Sequence, residues 1–481
     1  MVLDVAIVGS GFGGIGAAVR LREAGITDFV VLERASDLGG TWRDNTYPGC
    51  RCDVSSNLYS FSFAPNPEWS NTYSYQPEIW EYLRTVATDY GVRDAIRFDH
   101  DVRSIDFDPL KKHWTLRTDQ GDIEARAVIL ATGPLAEPRL PDIEGLTSFS
   151  GPVMHTGAWD PAVELRGQRV AVIGTGASAV QVVPQIAPDV AALSVFQRTP
   201  VWVLPHLGHP VQTRTRRLFS KWPVAQRLVR YYTYWRRELM VLGFVKDPRR
   251  MAKAETMSSE HLERQIADPT LRARLTPTYR LGCKRVTISN DFYPALTRDN
   301  VSLVTDSIER VDATGIVTRD GAHHDVDVII AATGFHVTDN PIGDVVHGAR
   351  GESLGRAFDG DLANYMGTTF PDFPNFFMLS GPNTGLGHSS IVFMEESQLN
   401  YVVAALKVAL STNALVAPSP QAAAEWTRRV RDKMPTTVWG SGCSSWYLND
   451  RGENTTIWPD FTFTFRRATR HFSRTDHVIQ Y

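Results

Sequence analysis

Two glycine turns carry the first chemical signal in this chain. Gly9-Ser10-Gly11-Phe12-Gly13-Gly14 follows an apolar run and reads G-x-G-x-x-G. Gly174-Thr175-Gly176-Ala177-Ser178-Ala179 reads G-x-G-x-x-A. Glycines at these positions permit a tight turn and let the backbone approach a pyrophosphate. The N–H groups of the helix that follows then face the phosphates. Glu33 lies 33 − 9 = 24 residues past the first glycine, and its carboxylate suits a ribose diol. At the same offset from the second turn, 198 − 174 = 24, stands Arg198. A carboxylate there would repel a ribose 2′-phosphate, whereas a guanidinium binds it through charge-assisted hydrogen bonds. The first site therefore suits a dinucleotide with a free ribose, FAD or NAD, and the second suits NADP. Two such sites in one chain point to hydride transfer between cofactors, with a flavin as the usual partner of a nicotinamide.

Positioning these groups requires two strand–turn–helix–strand units. The first predicts a strand over Val5-Ala6-Ile7-Val8, a helix from about Ile15 to Ala24, and a strand over Phe29-Val30-Val31-Leu32. The second predicts strands over Val170-Ala171-Val172-Ile173 and Ser194-Val195-Phe196-Gln197, with Pro184 and Pro188 shortening or kinking the helix between them. Continuous β-branched runs beside glycine turns indicate buried parallel strands. Two more apolar strands end in one tripeptide, Ala131-Thr132-Gly133 and Ala332-Thr333-Gly334, and each could close a sheet near a dinucleotide or be an ordinary strand end. The fold class is α/β: two Rossmann-type dinucleotide-binding domains with a helical insertion. The expected division is FAD domain 1–145 and 338–481, NADP domain 146–209 and 277–337, and insertion 210–276. The insertion interleaves Arg214, Arg216, Arg217, Lys221, Arg227, Arg230, Arg236 and Arg237 with Leu218, Phe219, Trp222, Leu228, Tyr231, Tyr232 and Trp235. Such a pattern serves a membrane surface or a docking partner. The plainer expectation is a solvated helix whose arginine stems lie over apolar area.

Composition narrows the class. At 481 residues the chain is too long for one ordinary domain. A net charge of −3, from 50 basic and 53 acidic residues, gives no single-sign field to draw nucleic acid. No stretch reaches the roughly 18 apolar residues of a membrane-spanning helix. The four cysteines, Cys50, Cys52, Cys283 and Cys443, contain no C-x-x-C. So few cysteines argue against a disulfide framework and for a reducing, cytoplasmic setting. The one-residue spacing of Cys50 and Cys52 also suits neither a dithiol reductase nor a zinc site.

Further segments resemble a known family. Phe149-Ser150-Gly151-Pro152-Val153-Met154-His155-Thr156-Gly157-Ala158-Trp159-Asp160 fits F-x-G-x-x-x-H-x-x-x-W-[PD], the fingerprint of Baeyer–Villiger monooxygenases. It lies between the two glycine turns, and the related flavin-containing monooxygenases typically carry Tyr where Trp159 stands. Gly39-Gly40-Thr41-Trp42, Tyr47-Pro48-Gly49 and Asp53 match a second signature. The resemblance covers essentially the whole chain. It implies FAD and NADPH as cofactors and O2-dependent conversion of ketones to esters or lactones through a flavin peroxide. The alternative it leaves is oxygenation of a nitrogen or sulfur in an amine or sulfide. It implies Arg285, within Tyr279-Arg280-Leu281-Gly282-Cys283-Lys284-Arg285-Val286, as the catalytic cation and Asp53 as its partner. Lys284 and Thr199 would join Arg198 on the 2′-phosphate, and His155 would link domain positions. Gly40, Thr41, Trp42, Thr132, Thr333 and Gly334, with Phe12, Gly14, Ser178 and Ala179 of the two turns, complete the implied cofactor contacts. Gly381-Pro382-Asn383-Thr384-Gly385-Leu386-Gly387-His388 departs from the commonest family form, which bears on pocket shape. A helix is expected near Ser389. Aromatics from Trp446 to Trp458 either line the pocket or fill core.

Overall fold

Alternating apolar runs and glycine turns fold as two main sheets, the first mixed and the second parallel. The structure, a computed structural model, describes residues 2–481. Strand β1 (Val2–Val8) passes through the first turn into α1 (Phe12–Glu23) and returns as β2 (Phe29–Leu32). β1 pairs in parallel with β2, Val5 opposite Phe29, and with β3 (Gly121–Leu130), Val8 opposite Leu130. Val5, Ala6 and Ile7 are wholly buried, which explains the uninterrupted apolar pattern. Each such aliphatic side chain contributes roughly 1.5–3 kcal/mol by leaving water. Helix α1 begins at Phe12, three residues before the expected Ile15, because the glycines themselves form its first turn.

The second sheet repeats the plan. β4 (Val153–His155) carries part of the family fingerprint; β5 (Arg169–Ile173) leads through the second turn into α2 (Ala177–Ile186), and β6 (Ala192–Phe196) follows. Pro184 sits inside α2, and the helix ends two residues later, so the expectation of a short helix holds.

The expected insertion is helical: α3 (Thr213–Lys221), α4 (Pro223–Glu238), α5 (Ala252–Gln265) and α6 (Pro269–Leu275). Its facing is one the sequence left open. On α4 the buried positions are Gln226, Tyr234 and Glu238, while most apolar side chains turn outward. Buried neighbours supply hydrogen bonds to these polar groups, so the helix keeps its polar side inward.

The chain then completes both sheets. β7 (Val301–Val304) and β8 (Val328–Ala331) give the second sheet the order β7-β6-β5-β8-β4, parallel throughout. β9 (Phe376–Met378) returns to the first sheet beside β3. Helix α7 (Ile391–Thr412), which begins two residues past the expected Ser389, is the longest helix among the described residues. Among the described residues no helix is long and apolar enough to cross a membrane. One apolar cluster runs from Val5, Ile7 and Val31 through Val170, Val172 and Val180 to Val392 and Met394, so the two sheets share a core.

Candidate active site

The two glycine turns close against their sheets in the same way. Gly9 (φ +99°) and Gly174 (φ +109°) both adopt backbone that side chains disfavour. A Cβ at Gly9 would lie 2.6 Å from the Ala131 carbonyl oxygen, and one at Gly174 would lie 2.6 Å from that of Ala332. The two Ala-Thr-Gly tripeptides therefore close against the two turns, bringing Thr132 and Thr333 to equivalent corners. Gly334 is also in the left-handed region (φ +86°). A Cβ at Gly14 would fall 1.8 Å from the Gly9 carbonyl oxygen. Gly11 and Gly176 precede the first residues of α1 and α2 and offer no side-chain cap. Their first N–H groups are thus left for an external acceptor, and the helix dipole favours an anion there. Both cradles fit a dinucleotide pyrophosphate. Ser178 and Ala179 lie in the first turn of α2.

Around the first turn, Gly40 packs on Gly11, where a Cβ would meet its Cα at 3.1 Å. Thr41 and Trp42 open a short helix over Thr41–Asp44, and Trp42 Nε1 donates to the Tyr59 hydroxyl at 3.0 Å. Phe12 turns its ring into an aromatic cluster with Tyr59 and Phe61, centroids 5.1 Å away in each case. Only its backbone can face a phosphate. Glu33, buried at the end of β2, accepts from Ser10 Oγ at 2.6 Å and from Arg43 Nη1 at 2.7 Å. These bonds fix its carboxylate at the corner where a ribose would lie.

At the equivalent corner of the second unit, Arg198 is exposed just beyond β6, and Thr199 accepts from Thr175 Oγ at 3.1 Å through its carbonyl. Lys284 approaches from the far side of the chain, its ammonium 4.9 Å from the Tyr279 ring centroid. Burial lowers the Lys284 pKa, and the nearby Arg198 charge lowers it further. Neither cation has a carboxylate within ion-pair distance among the described residues, which leaves both available to one anion.

Between the two units stand Arg285 and Asp53. Arg285 Nε donates to Asp53 Oδ2 at 3.0 Å and Nη2 to Oδ1 at 2.5 Å, a bidentate pair spanning 232 residues of sequence. Nη1 donates to the Leu386 carbonyl at 3.1 Å. A guanidinium has five N–H donors, so two remain for another acceptor. Burial would raise the Asp53 pKa, but the charge and hydrogen bonds of Arg285 outweigh it and hold the carboxyl below its usual value. Burial opposes the Arg285 charge in the same way, and Asp53 overcomes it and raises the pKa. The pair is therefore ionised across the working range. Tyr447 is buried against this niche, and burial first, partly countered by Arg285, pushes its phenol up to about 12. Trp458 instead stacks on Trp426 in the core, so the aromatic tail divides between the two expected roles.

Arg237 was named only as one of the basic residues of the insertion, and it proves to reach this niche. Its Nη2 donates to the Asp53 carbonyl at 3.2 Å and its Nη1 to the His388 carbonyl at 3.4 Å. Nothing in the spacing of a mixed Arg/aromatic helix marks that one arginine. His155 ends β4 buried, with Nδ1 accepting from the Gly157 N–H at 2.9 Å and its ring edge-on to Phe335. Burial lowers its pKa.

The cysteines require a correction. Cys50 and Cys52 are free and buried, and burial raises both thiols, Cys50 to about 12. Cys283 and Cys443, expected to be reduced, form a disulfide with Cα atoms 6.2 Å apart. Their sequence separation of 160 hides the pairing. Only the return of the tail over the Arg285 segment, in a cluster with Trp202, Phe244 and Trp439, brings them together.

A family model described as pyridine nucleotide-disulphide oxidoreductase matches residues 6–206. A Baeyer-Villiger monooxygenase of Streptomyces coelicolor is 48% identical, over 99% of this chain and 92% of the relative. The chain belongs to the Baeyer–Villiger monooxygenases. Another so named, from Pseudomonas aeruginosa, is 43% identical over 97% of this chain and 90% of its own. Among solved structures, an oxidized steroid monooxygenase bound to NADP superposes with a TM-score of 0.86 at 31% identity, covering 100% of both chains. OTEMO in complex with FAD and NADP gives a TM-score of 0.88 at 26% identity, covering 99% of both. The disulphide chemistry in the matched model's description finds no paired thiols at Cys50 and Cys52 of this monooxygenase.

Proposed function

We propose that this monooxygenase converts ketones to esters or lactones with FAD, NADPH and O2. FAD lies on the Gly9–Gly14 unit and NADPH on the Gly174–Ala179 unit. Bound NADPH supplies the hydride and bound FAD the activated oxygen. The observation that carries the reading is the bidentate Arg285–Asp53 pair between two phosphate cradles. Arg285 holds a fixed positive charge, and Asp53 with the Leu386 carbonyl holds its plane. Two N–H groups remain to stabilise negative charge that develops on oxygen as a carbonyl is attacked. A preorganised donor of this kind is worth about 3–4 kcal/mol. Arg237 donates to the main-chain carbonyl of Asp53 and so steadies the segment that carries the carboxylate. Arg198 and Lys284 take the 2′-phosphate, and Glu33 the ribose of the other dinucleotide. A fixed cation favours ketone oxidation over oxygenation of amines or sulfides, which calls for no developing oxyanion.

The test is product analysis on a ketone panel with Arg285→Ala beside the native enzyme. The variant should still bind flavin and oxidise NADPH, yet lose ester or lactone formation by about 100-fold or more. Undiminished ester yield removes Arg285 from the reaction. A native enzyme that makes sulfoxide but no ester from any ketone removes the reading itself.

A further inference from the structure

The α3–α4 hairpin shows water the side that most helices bury. Trp222, Leu228, Tyr231, Tyr232, Trp235 and Leu239 are 41–64% exposed. Leu228, Tyr231, Tyr232 and Trp235, with Leu239 just past the helix end, recur at helical spacing and form one stripe along α4. The opposite face is polar and engaged: Gln226 donates to Asn57, Arg230 Nη1 donates to the Ser60 carbonyl at 2.9 Å, and Glu238 accepts from Thr462 Oγ1 at 2.6 Å. These inward bonds fix the rotation of the helix, so the stripe cannot turn inward without stranding buried polar groups.

Charge accompanies the stripe. Over residues 213–238 there are eight basic residues and one acid, the buried Glu238. Arg214, Arg217, Lys221, Arg227 and Arg236 are exposed. The stripe also continues beyond the hairpin. Trp235 meets Phe463 with ring centroids 5.9 Å apart. Phe463 in turn lines a groove of about 770 Å³ whose charged walls are Arg20, Glu23, Lys407, Arg466, Arg467 and Arg470. Exposed Trp and Tyr ringed by cations suit the boundary between water and lipid. A protein partner would need an apolar face and a large acidic rim together, while an anionic bilayer offers both along its whole surface.

We propose that α3–α4 and the adjoining basic groove form a docking surface for an anionic phospholipid bilayer. The stripe enters the headgroup layer and the groove receives lipid phosphates. The protein lies on the membrane and does not cross it.

The experiment is cosedimentation of the flavin-loaded enzyme with vesicles of equal parts phosphatidylglycerol and phosphatidylcholine, against phosphatidylcholine alone, over rising salt. Binding should be confined to the anionic vesicles and fall with salt. The triple variant Trp222→Ser, Leu228→Ser, Tyr232→Ser should bind about ten-fold or more weakly, with oxidation of a water-soluble ketone unchanged. Failure to bind anionic vesicles, or equal binding by the triple variant, overturns the proposal. A native dimer in solution that the triple variant splits assigns the face to a second copy, and overturns it too.

Discussion

Arg285 has five N–H groups and spends three of them on fixed acceptors, two on Asp53 and one on the Leu386 carbonyl. A guanidinium so pinned loses little orientational freedom when an anion arrives. The second informative residue is Arg198. It stands at the offset Glu33 has in the other unit, and the proposed 2′-phosphate role rests on that change of sign. Arg198→Ala should raise the KM for NADPH by about 10–100-fold and leave that for NADH nearly unchanged. Initial rates with each cofactor check this, and equal losses for both would contradict the 2′-phosphate role. With Lys284 as the proposed second cation at that phosphate, some NADPH preference should survive.

At the scale of elements, the glycine turns are the tightest constraint. The Gly14→Ala variant should lose most of its flavin, because its methyl would sit 1.8 Å from the Gly9 carbonyl oxygen. Flavin absorbance per protein after desalting measures it. Helix α7 carries a different burden. Glu395 is buried beside Ser380, and burial raises its pKa from 4.5 to about 7. The folded state therefore holds a proton that the unfolded chain releases between those values. This group's contribution is full below pH 4.5 and is lost as pH rises through 7, a change on the order of 3 kcal/mol. Glu395→Gln, which stays neutral, should flatten the fall in melting temperature over that range. These turns, strands and acid–base corners were legible in the sequence because each depends on a local pattern. The start of α1 was misjudged because glycine reads as a helix breaker even where close packing demands it. The outward face of α4 was not legible for a related reason. Periodicity shows that two faces exist but not which one meets the core, and the answer lay in Asn57, Ser60 and Thr462, remote in sequence.

At the scale of the molecule, the first sheet takes strands from both ends of the chain and the second from its middle, so the niche at Arg285 gathers Asp53, Arg237, Leu386 and Tyr447 from four distant segments. No local pattern records that convergence. The Asp53–Arg285 assignment rested on family likeness, and Arg237 was not singled out at all. The disulfide belongs to the same scale. Cys283 lies two residues before Arg285 and Cys443 four before Tyr447. Two of the segments that meet near Arg285 are thereby riveted together, and the rivet is removable by thiols. Ordinary laboratory reductant should thus act as a hidden variable: turnover and heat tolerance measured with and without dithiothreitol should differ in the native enzyme and coincide in Cys443→Ser. Batches prepared in different buffers would otherwise look like different catalysts.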